Sequence, residues 1–267
     1  MSLLLPRRAT HGGRRLRVDH GSGETEAVYY IDFLARLHEQ LKPRTYLEIG
    51  VRNGHSLALS HCRSVGIDPD FQVNQGLPGA VSLIRSTSDD FFADLEGVDE
   101  TSFQGLPVDL AFIDGMHLFE YALRDFANVE RYVGPASVIA FDDMFPCNID
   151  EAARDRHTQS WTGDVFRVML ALQRQRPDLR QVRVDTEPTG LLLITGFSSE
   201  KRLVADAVES IVTSDLQQDP QTIPDEVLER YGALDPDAAL TLPLWNDLRA
   251  SRDRHQRRPG RFWARRS

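Results

Sequence analysis

The stretch VIAFDDMFP, residues 138–146, ends an apolar run on two adjacent aspartates, Asp142 and Asp143. Like charges that close raise each other's pKa unless a cation sits between them. Either both point into water at a turn, or they share a positive charge. A second stretch, YLEIGVRNGHS (46–56), sets Glu48, Gly50 and Gly54 across a strand-to-helix turn. Glycines there let backbone amides approach a ligand, beside the start of the following helix. Its spacing, E-x-G-x-x-x-G, does not match the dinucleotide fingerprint G-x-G-x-x-G. Asp68 follows 18 residues after Gly50 and ends the next apolar run, VGIDPD. An acid at that distance hydrogen-bonds ribose hydroxyls in adenosine-containing cofactors, whereas the structural alternative is a turn before Pro69. Together the glycine turn and the acid favour a nucleoside-bearing cofactor. STSDD (86–90) ends a third run and puts Ser88 and Asp89 where an adenine would be contacted.

The elements that must position these residues alternate. Strands are expected at RTYLEIG (44–50), SVGIDPD (64–70), VSLIRS (81–86), VDLAFID (108–114) and SVIAFDD (137–143). Helices are expected at SLALSHC (56–62), DDFFADLEGV (89–98), HLFEYALRDFANVERYV (117–133) and VFRVMLALQRQRP (165–177). In the third of these, Leu118, Tyr121, Ala122, Phe126, Val129 and Val133 recur at three- and four-residue spacing. Such alternation implies a parallel sheet covered on both faces. LRQVRVD (179–185) and GLLLITG (190–196) are separated only by TEPT, too short for a crossover helix, so that pair is antiparallel. The expected fold is α/β, a doubly wound, mostly parallel seven-stranded sheet ending in an antiparallel hairpin. The boundaries are 1–40 for a basic arm and leading helix, 41–200 for the sheet domain, and 201–267 for a helical extension with an arginine-rich tail.

Composition narrows the function classes. The chain has 267 residues, 41% of them hydrophobic, enough for one large core. A net charge of −9 argues against nucleic acid as the main partner. No apolar run approaches the ~20 residues a membrane-spanning helix needs. MSLLLPRR has the wrong order and length for a secretory signal, and two cysteines, Cys62 and Cys147, build no disulfide framework. A cytoplasmic protein without membrane or nucleic-acid partners is expected, and homo-oligomerisation is compatible with it. The arginines at both ends read either as solvated tails or as a clamp for an anionic partner.

TYLEIGVRNGHSLALS, VGIDPD, FIDGMHLFEYALRDF and VIAFDDMFP, in that order, resemble a class I S-adenosylmethionine-dependent methyltransferase. The similarity is nearest to the metal-dependent O-methyltransferases of the catechol and macrolide-sugar type, and it spans roughly residues 40–196. WTGDVF (161–166) and PTGLLLI (188–194) resemble bacterial members. The resemblance implies S-adenosylmethionine held by Glu48, Gly50, Gly54, Asp68, Ser88, Asp89 and Asp114. It also implies one divalent cation, Mg2+, on Asp114, Asp142 and Asp143, a hard oxygen set that tolerates Mn2+ or Ca2+. In catechol-type members a lysine three residues after the first aspartate takes the substrate proton. The only lysines here are Lys42 and Lys201, outside these motifs, and His117 holds that position. His117 is therefore the expected base, with a helix cap as its alternative and His157 as runner-up.

The activity this implies is Mg2+-assisted methylation of a hydroxyl in a vicinal diol on a sugar or natural product. The segment 145–160 and Trp161 would shape the acceptor pocket. Two alternatives are a hydroxylase-like or other enzyme on the same fold, since cephalosporin-hydroxylase-type relatives share IDG-x-H, and a non-catalytic cofactor-binding partner subunit.

Overall fold

The computed structural model describes residues 27–93, 105–216 and 222–256. Residues 94–98 of one expected helix, the basic arm and the tail beyond residue 256 lie outside them. Seven strands form one sheet: β1 (Thr45–Ile49), β2 (Arg63–Ile67), β3 (Val81–Ile84), β4 (Val108–Ile113), β5 (Val133–Phe141), β6 (Arg180–Val184) and β7 (Leu191–Thr195). Their order is β3-β2-β1-β4-β5-β7-β6. The first five strands are parallel, and β7 runs antiparallel to both β5 and β6. The expected mostly parallel sheet with a final antiparallel hairpin is what forms.

Side chains alternate across the strands, and each face receives its own apolar layer. Ile49, Ile67, Ala111, Ile113, Ile139 and Phe141 face α3 (Phe119–Glu130), α4 (Phe166–Gln175) and α5 (Ala205–Leu216). Tyr46, Leu110, Phe112, Val138 and Ala140 face α1 (Tyr30–Leu41), α7 (Pro236–Leu240) and α8 (Pro243–Gln256). On the first face Phe119, Leu123, Phe126 and Val129 form the buried stripe of α3, and on the second Phe33, Leu34, Leu37 and Leu41 form that of α1. Two short helices complete the set, α2 (Ser88–Ala93) and α6 (Asp225–Leu228).

Three expectations need correction. SLALSHC is not an α-helix; it holds one 3-10 turn, Leu57–Leu59. The link 50–62 spends its first half on the glycine turn, so too few residues remain for a helical crossover. The 117–133 helix ends at Glu130, and Val133 opens β5, paired with Val108. Gly134 and Pro135 cannot continue a helix. Arg252, one of the C-terminal arginines expected to be solvated or to clamp an anionic partner, is buried. It donates to the carbonyls of Leu41 and Lys42, and its Nε lies 3.5 Å from Asp109, which Arg44 also grips. This arginine fastens α8 beneath the sheet rather than presenting charge to solvent.

Candidate functional site

The strand ladders run one residue past the strand ends. The amides of Gly50, Asp68, Asp114 and Asp142 donate to the carbonyls of Ile67, Ile84, Ile49 and Ile113, at 2.9, 3.1, 2.8 and 3.2 Å. Asp68, Gly50, Asp114 and Asp142 therefore follow four adjacent strands along one edge, with neighbouring strands about 4.8 Å apart. This is the carboxyl edge, and the strand order reverses between β1 and β4, where open α/β sheets take their ligands.

The β1 side is shaped by close approach. Gly50 has φ +90°, and a Cβ there would stand 2.0 Å from the Asp114 carbonyl oxygen. Gly54 has φ +82°, with a Cβ meeting Val73 at 2.9 Å. No side chain larger than hydrogen fits either position without moving its surroundings. Asp68 accepts the Arg52 amide at 2.8 Å and the Asp70 amide at 2.6 Å. Each oxygen thus keeps capacity for a further donor. Ser88 bonds Asp125, a buried carboxylate of α3 whose Oδ1 has no partner among the described residues, and Asp89 forms a two-pronged pair with Arg124.

Glu48 is fully buried behind the turn. It accepts from the Tyr46 hydroxyl at 2.6 Å and the Ser56 hydroxyl at 2.8 Å. Burial pushes its pKa up to about 8, against the two hydrogen bonds that lower it. A carboxyl whose folded pKa exceeds its unfolded one stabilises the protonated fold, so stability falls as pH rises from about 4.5 to about 8. That contribution is on the order of a few kcal/mol. Glu48→Gln should therefore flatten the fall in melting temperature between about pH 5 and about pH 8. Equal slopes for the variant and the wild type in thermal melts would show that the carboxyl is not the cause.

The β4–β5 side gathers the acids. Asp142 is buried, and its Oδ1 accepts the Asp143 amide at 2.9 Å and the Thr189 hydroxyl at 3.5 Å. Burial and then the charges of Asp143 and Asp114 drive its pKa well above the carboxylate range. Asp114 is also raised, first by burial. Asp143 adopts φ +62°, left-handed backbone that few residues other than glycine, asparagine and aspartate tolerate. His117 stands between these acids: Nε2 is 3.5 Å from Asp114 Oδ1 and Nδ1 is 3.0 Å from Asp143 Oδ2. Burial would lower its pKa, but hydrogen bonds to the two aspartates carry it up to about 11. Ligand atoms of Asp114, His117 and Asp143 all lie within 4.8 Å of one another. Of the three expected ligands, Asp142 stands behind this group and engages it through the Asp143 amide.

The ring of His117 does not cap α3; Asp164 does, accepting the Phe119 amide at 2.8 Å. His157 is exposed, bonded to the Asp155 carbonyl and 3.7 Å from Asp150. The segment 145–160 is pinned by Arg154, which pairs with Glu120 at 2.6 Å and Asp164 at 2.8 Å.

Residues that the sequence patterns leave unmarked complete the site. Alternation continues Leu110 and Phe112 into Asp114, and Val138 and Ala140 into Asp142, on the α1 face. Tyr30, first residue of α1, stacks on Phe112 at 6.4 Å. Burial, then the charges of Asp114, Asp142 and Asp143, raise its phenol pKa. Thr189 reaches Asp142 from the β6–β7 link, and Trp161 stacks on His117 at 5.3 Å. The pair Tyr29-Tyr30 at the entrance to an amphipathic helix was the one available signal for Tyr30.

The family described as a methyltransferase domain matches residues 47–144, from β1 to just past Asp143. No curated protein sequence is similar to the chain in direct comparison. Among solved structures, an O-methyltransferase from Bacillus cereus in complex with SAH is 16% identical, with 61% of this chain and 79% of that chain covered at a TM-score of 0.44. The O-methyltransferase TomG from Streptomyces achromogenes, involved in tomaymycin synthesis and in complex with SAM, is 19% identical, with 62% and 78% covered at a TM-score of 0.45. The SAH-bound methyltransferase PaMTH1 from Podospora anserina is 15% identical, with 63% and 78% covered at a TM-score of 0.47. Residues 47–144, from β1 to the carboxyl end of β5, thus match a methyltransferase domain, and the strand order β3-β2-β1-β4-β5-β7-β6 gives that stretch its α/β frame.

Proposed function

We propose that the protein is a class I S-adenosylmethionine-dependent methyltransferase that acts on an oxygen, with a divalent cation at Asp114, Asp142 and Asp143, and that its acceptor carries a vicinal diol on a sugar or natural product. The observation that carries the proposal is the convergence of Asp114, Asp143 and His117 within 4.8 Å, one strand away from the glycine turn. The donor set fits a cation. Two carboxylates and a buried third are crowded together around His117, and a cation on them would take over the charge that the protonated ring supplies in its absence, leaving the imidazole neutral. When bound, Mg2+ would supply Lewis-acid charge that lowers the pKa of an acceptor hydroxyl.

In this reading Asp68 takes the ribose hydroxyls, and Gly50 and Gly54 admit the backbone to the cofactor. Glu48 braces that turn through Ser56 and Tyr46. Ser88 and Asp89 flank the adenine, and Asp114 serves both halves. His117 accepts the hydroxyl proton. The sulfonium methyl is already electrophilic, so alignment supplies much of the rate. Residues 41–200 form the catalytic domain, residues 1–40 a leading segment and residues 201–267 a helical extension. Among the described residues no helix is long and apolar enough to cross a membrane. We place the protein in the cytoplasm.

The direct test is release of S-adenosylhomocysteine across a panel of sugar diols and catechols, with Mg2+ and with chelator. Turnover that is indifferent to chelator would refute the metal. Asp68→Ala should weaken S-adenosylmethionine binding roughly ten- to a hundredfold, the ~1.5–3 kcal/mol of a charge-assisted hydrogen bond. Unchanged affinity by calorimetry would make Asp68 a turn residue only.

A further inference from the structure

The ring of His117 is fixed from more than one side. Its Nδ1 lies 2.8 Å from the Trp161 carbonyl oxygen and 3.0 Å from Asp143 Oδ2. A carbonyl oxygen only accepts, as does an ionised carboxylate, so Nδ1 is the nitrogen that carries a proton in either bond. The Trp161 indole lies nearly parallel to the imidazole, 5.3 Å between centroids and 12° between planes. The indole is itself held: its Nε1 donates to the Ala153 carbonyl at 2.6 Å. The next two amides, Thr162 and Gly163, both donate to the Glu151 carbonyl, at 3.0 and 3.1 Å. Gly163 has φ +56°, and a Cβ there would stand 1.6 Å from the His117 carbonyl oxygen, so the two segments pack backbone to backbone. What remains free of the Trp161 strut is Nε2, on the Asp114 side.

We propose that Trp161 is the positioning residue of His117: its carbonyl takes the Nδ1 proton and its indole face sets the ring plane, so that Nε2 is the nitrogen presented to the acceptor hydroxyl. The proposal rests on the reading of His117 as the base. In the transfer the hydroxyl proton passes to Nε2, the O–CH3 bond forms as the S–CH3 bond breaks, and the thioether leaves uncharged. The Nε2 proton then goes to solvent, while Nδ1 keeps its own throughout. A ring turned over would leave the Trp161 carbonyl facing carbon and would aim Nε2 away from Asp114.

The test is imidazole nitrogen NMR of the full chain with labelled histidine, carrying S-adenosylhomocysteine and Mg2+, and again in chelator. His117→Gln identifies the resonance by removing it. The expected result in both states is a proton on Nδ1 of His117 that exchanges at least about tenfold more slowly than that of exposed His157. A bare Nδ1, or exchange as fast as His157, overturns the proposal without any substitution in the strut. Trp161→Phe should keep the slow proton. Trp161→Ala should lose it and form S-adenosylhomocysteine roughly a hundredfold more slowly at unchanged S-adenosylmethionine affinity. Slow exchange that survives in Trp161→Ala would overturn the role of the indole, and Trp161→Leu replaces that variant if it does not fold. A protected Nδ1 proton without turnover on any acceptor would sink methyl transfer and leave the positioning intact. A bare Nδ1 with turnover would sink the positioning alone.

Discussion

Chelator should abolish methyl transfer and Mg2+ should restore it; Asp142→Asn and Asp143→Asn should lose that restoration while still binding S-adenosylmethionine. This expected result follows from the crowding of the acids. Burial and the neighbouring charges of Asp143 and Asp114 hold the Asp142 pKa well above the carboxylate range. Without a cation, neutralising one member relieves repulsion, so Asp142→Asn should melt at the same or a higher temperature in chelator. Asn is tolerated at the φ of +62° that Asp143 adopts, so Asp143→Asn removes charge with little backbone penalty. With Mg2+ the ordering reverses. A ligand at a hundredfold its Kd stabilises by about 2.7 kcal/mol, roughly 5–10 °C in melting temperature for a chain of this size. Both variants should show a smaller rise than the wild type. A wild type with no Mg2+-dependent rise and full activity in chelator would reduce the aspartates to polar residues of the edge.

His117→Ala should lower the rate of transfer by about 10²–10⁴-fold, the usual contribution of a placed general base. Cofactor affinity should change little, because the ring touches the acids and Trp161 rather than the glycine turn. The variant also has a signature in stability. Hydrogen bonds to Asp114 and Asp143 raise the folded pKa of His117 to about 11 in the metal-free protein. A histidine raised in this way contributes stability that is fully present below about pH 6.5 and is lost as pH climbs towards about 11. In chelator, His117→Ala should therefore be most destabilising at the acidic end of that window. Rate measurements under saturating acceptor check the first effect, and melts across pH check the second. A rate within about threefold of wild type would exclude His117 as the base.

The sheet was legible because its strands are short apolar runs, and β1, β2, β4 and β5 end at glycine or an acid that marks the carboxyl edge. The same feature exposed the paired aspartates: a buried strand such as VIAF has no reason of its own to end on two charges. The helix expected at SLALSHC failed because apolar spacing says nothing about how many residues the preceding turn consumes. The role of His117 at a helix start could not be separated from capping, since the true cap, Asp164, lies 45 residues further on. Tyr30 feels the charge of the acids from the first helix, Thr189 bonds Asp142 from the β6–β7 link, and Trp161 stacks on His117 from the segment before α4. Only the fold brings such separations together. Asp89 is taken up by Arg124, and Asp125 is buried on a helix otherwise read as amphipathic. Charge pattern alone would have left both in solvent.

The proposed enzyme has a cofactor site at Gly50–Asp68 and, adjoining it through Asp114, a cation site at Asp114–Asp142–Asp143. Titration calorimetry tests it without knowledge of the acceptor. S-adenosylhomocysteine should bind one to one in chelator and weaken roughly ten- to a hundredfold in Asp68→Ala. Mg2+ added afterwards should bind one to one in the wild type and not in Asp142→Asn, which keeps its S-adenosylhomocysteine affinity. Absence of S-adenosylhomocysteine binding, or Mg2+ binding that survives in Asp142→Asn, would contradict this pair of sites.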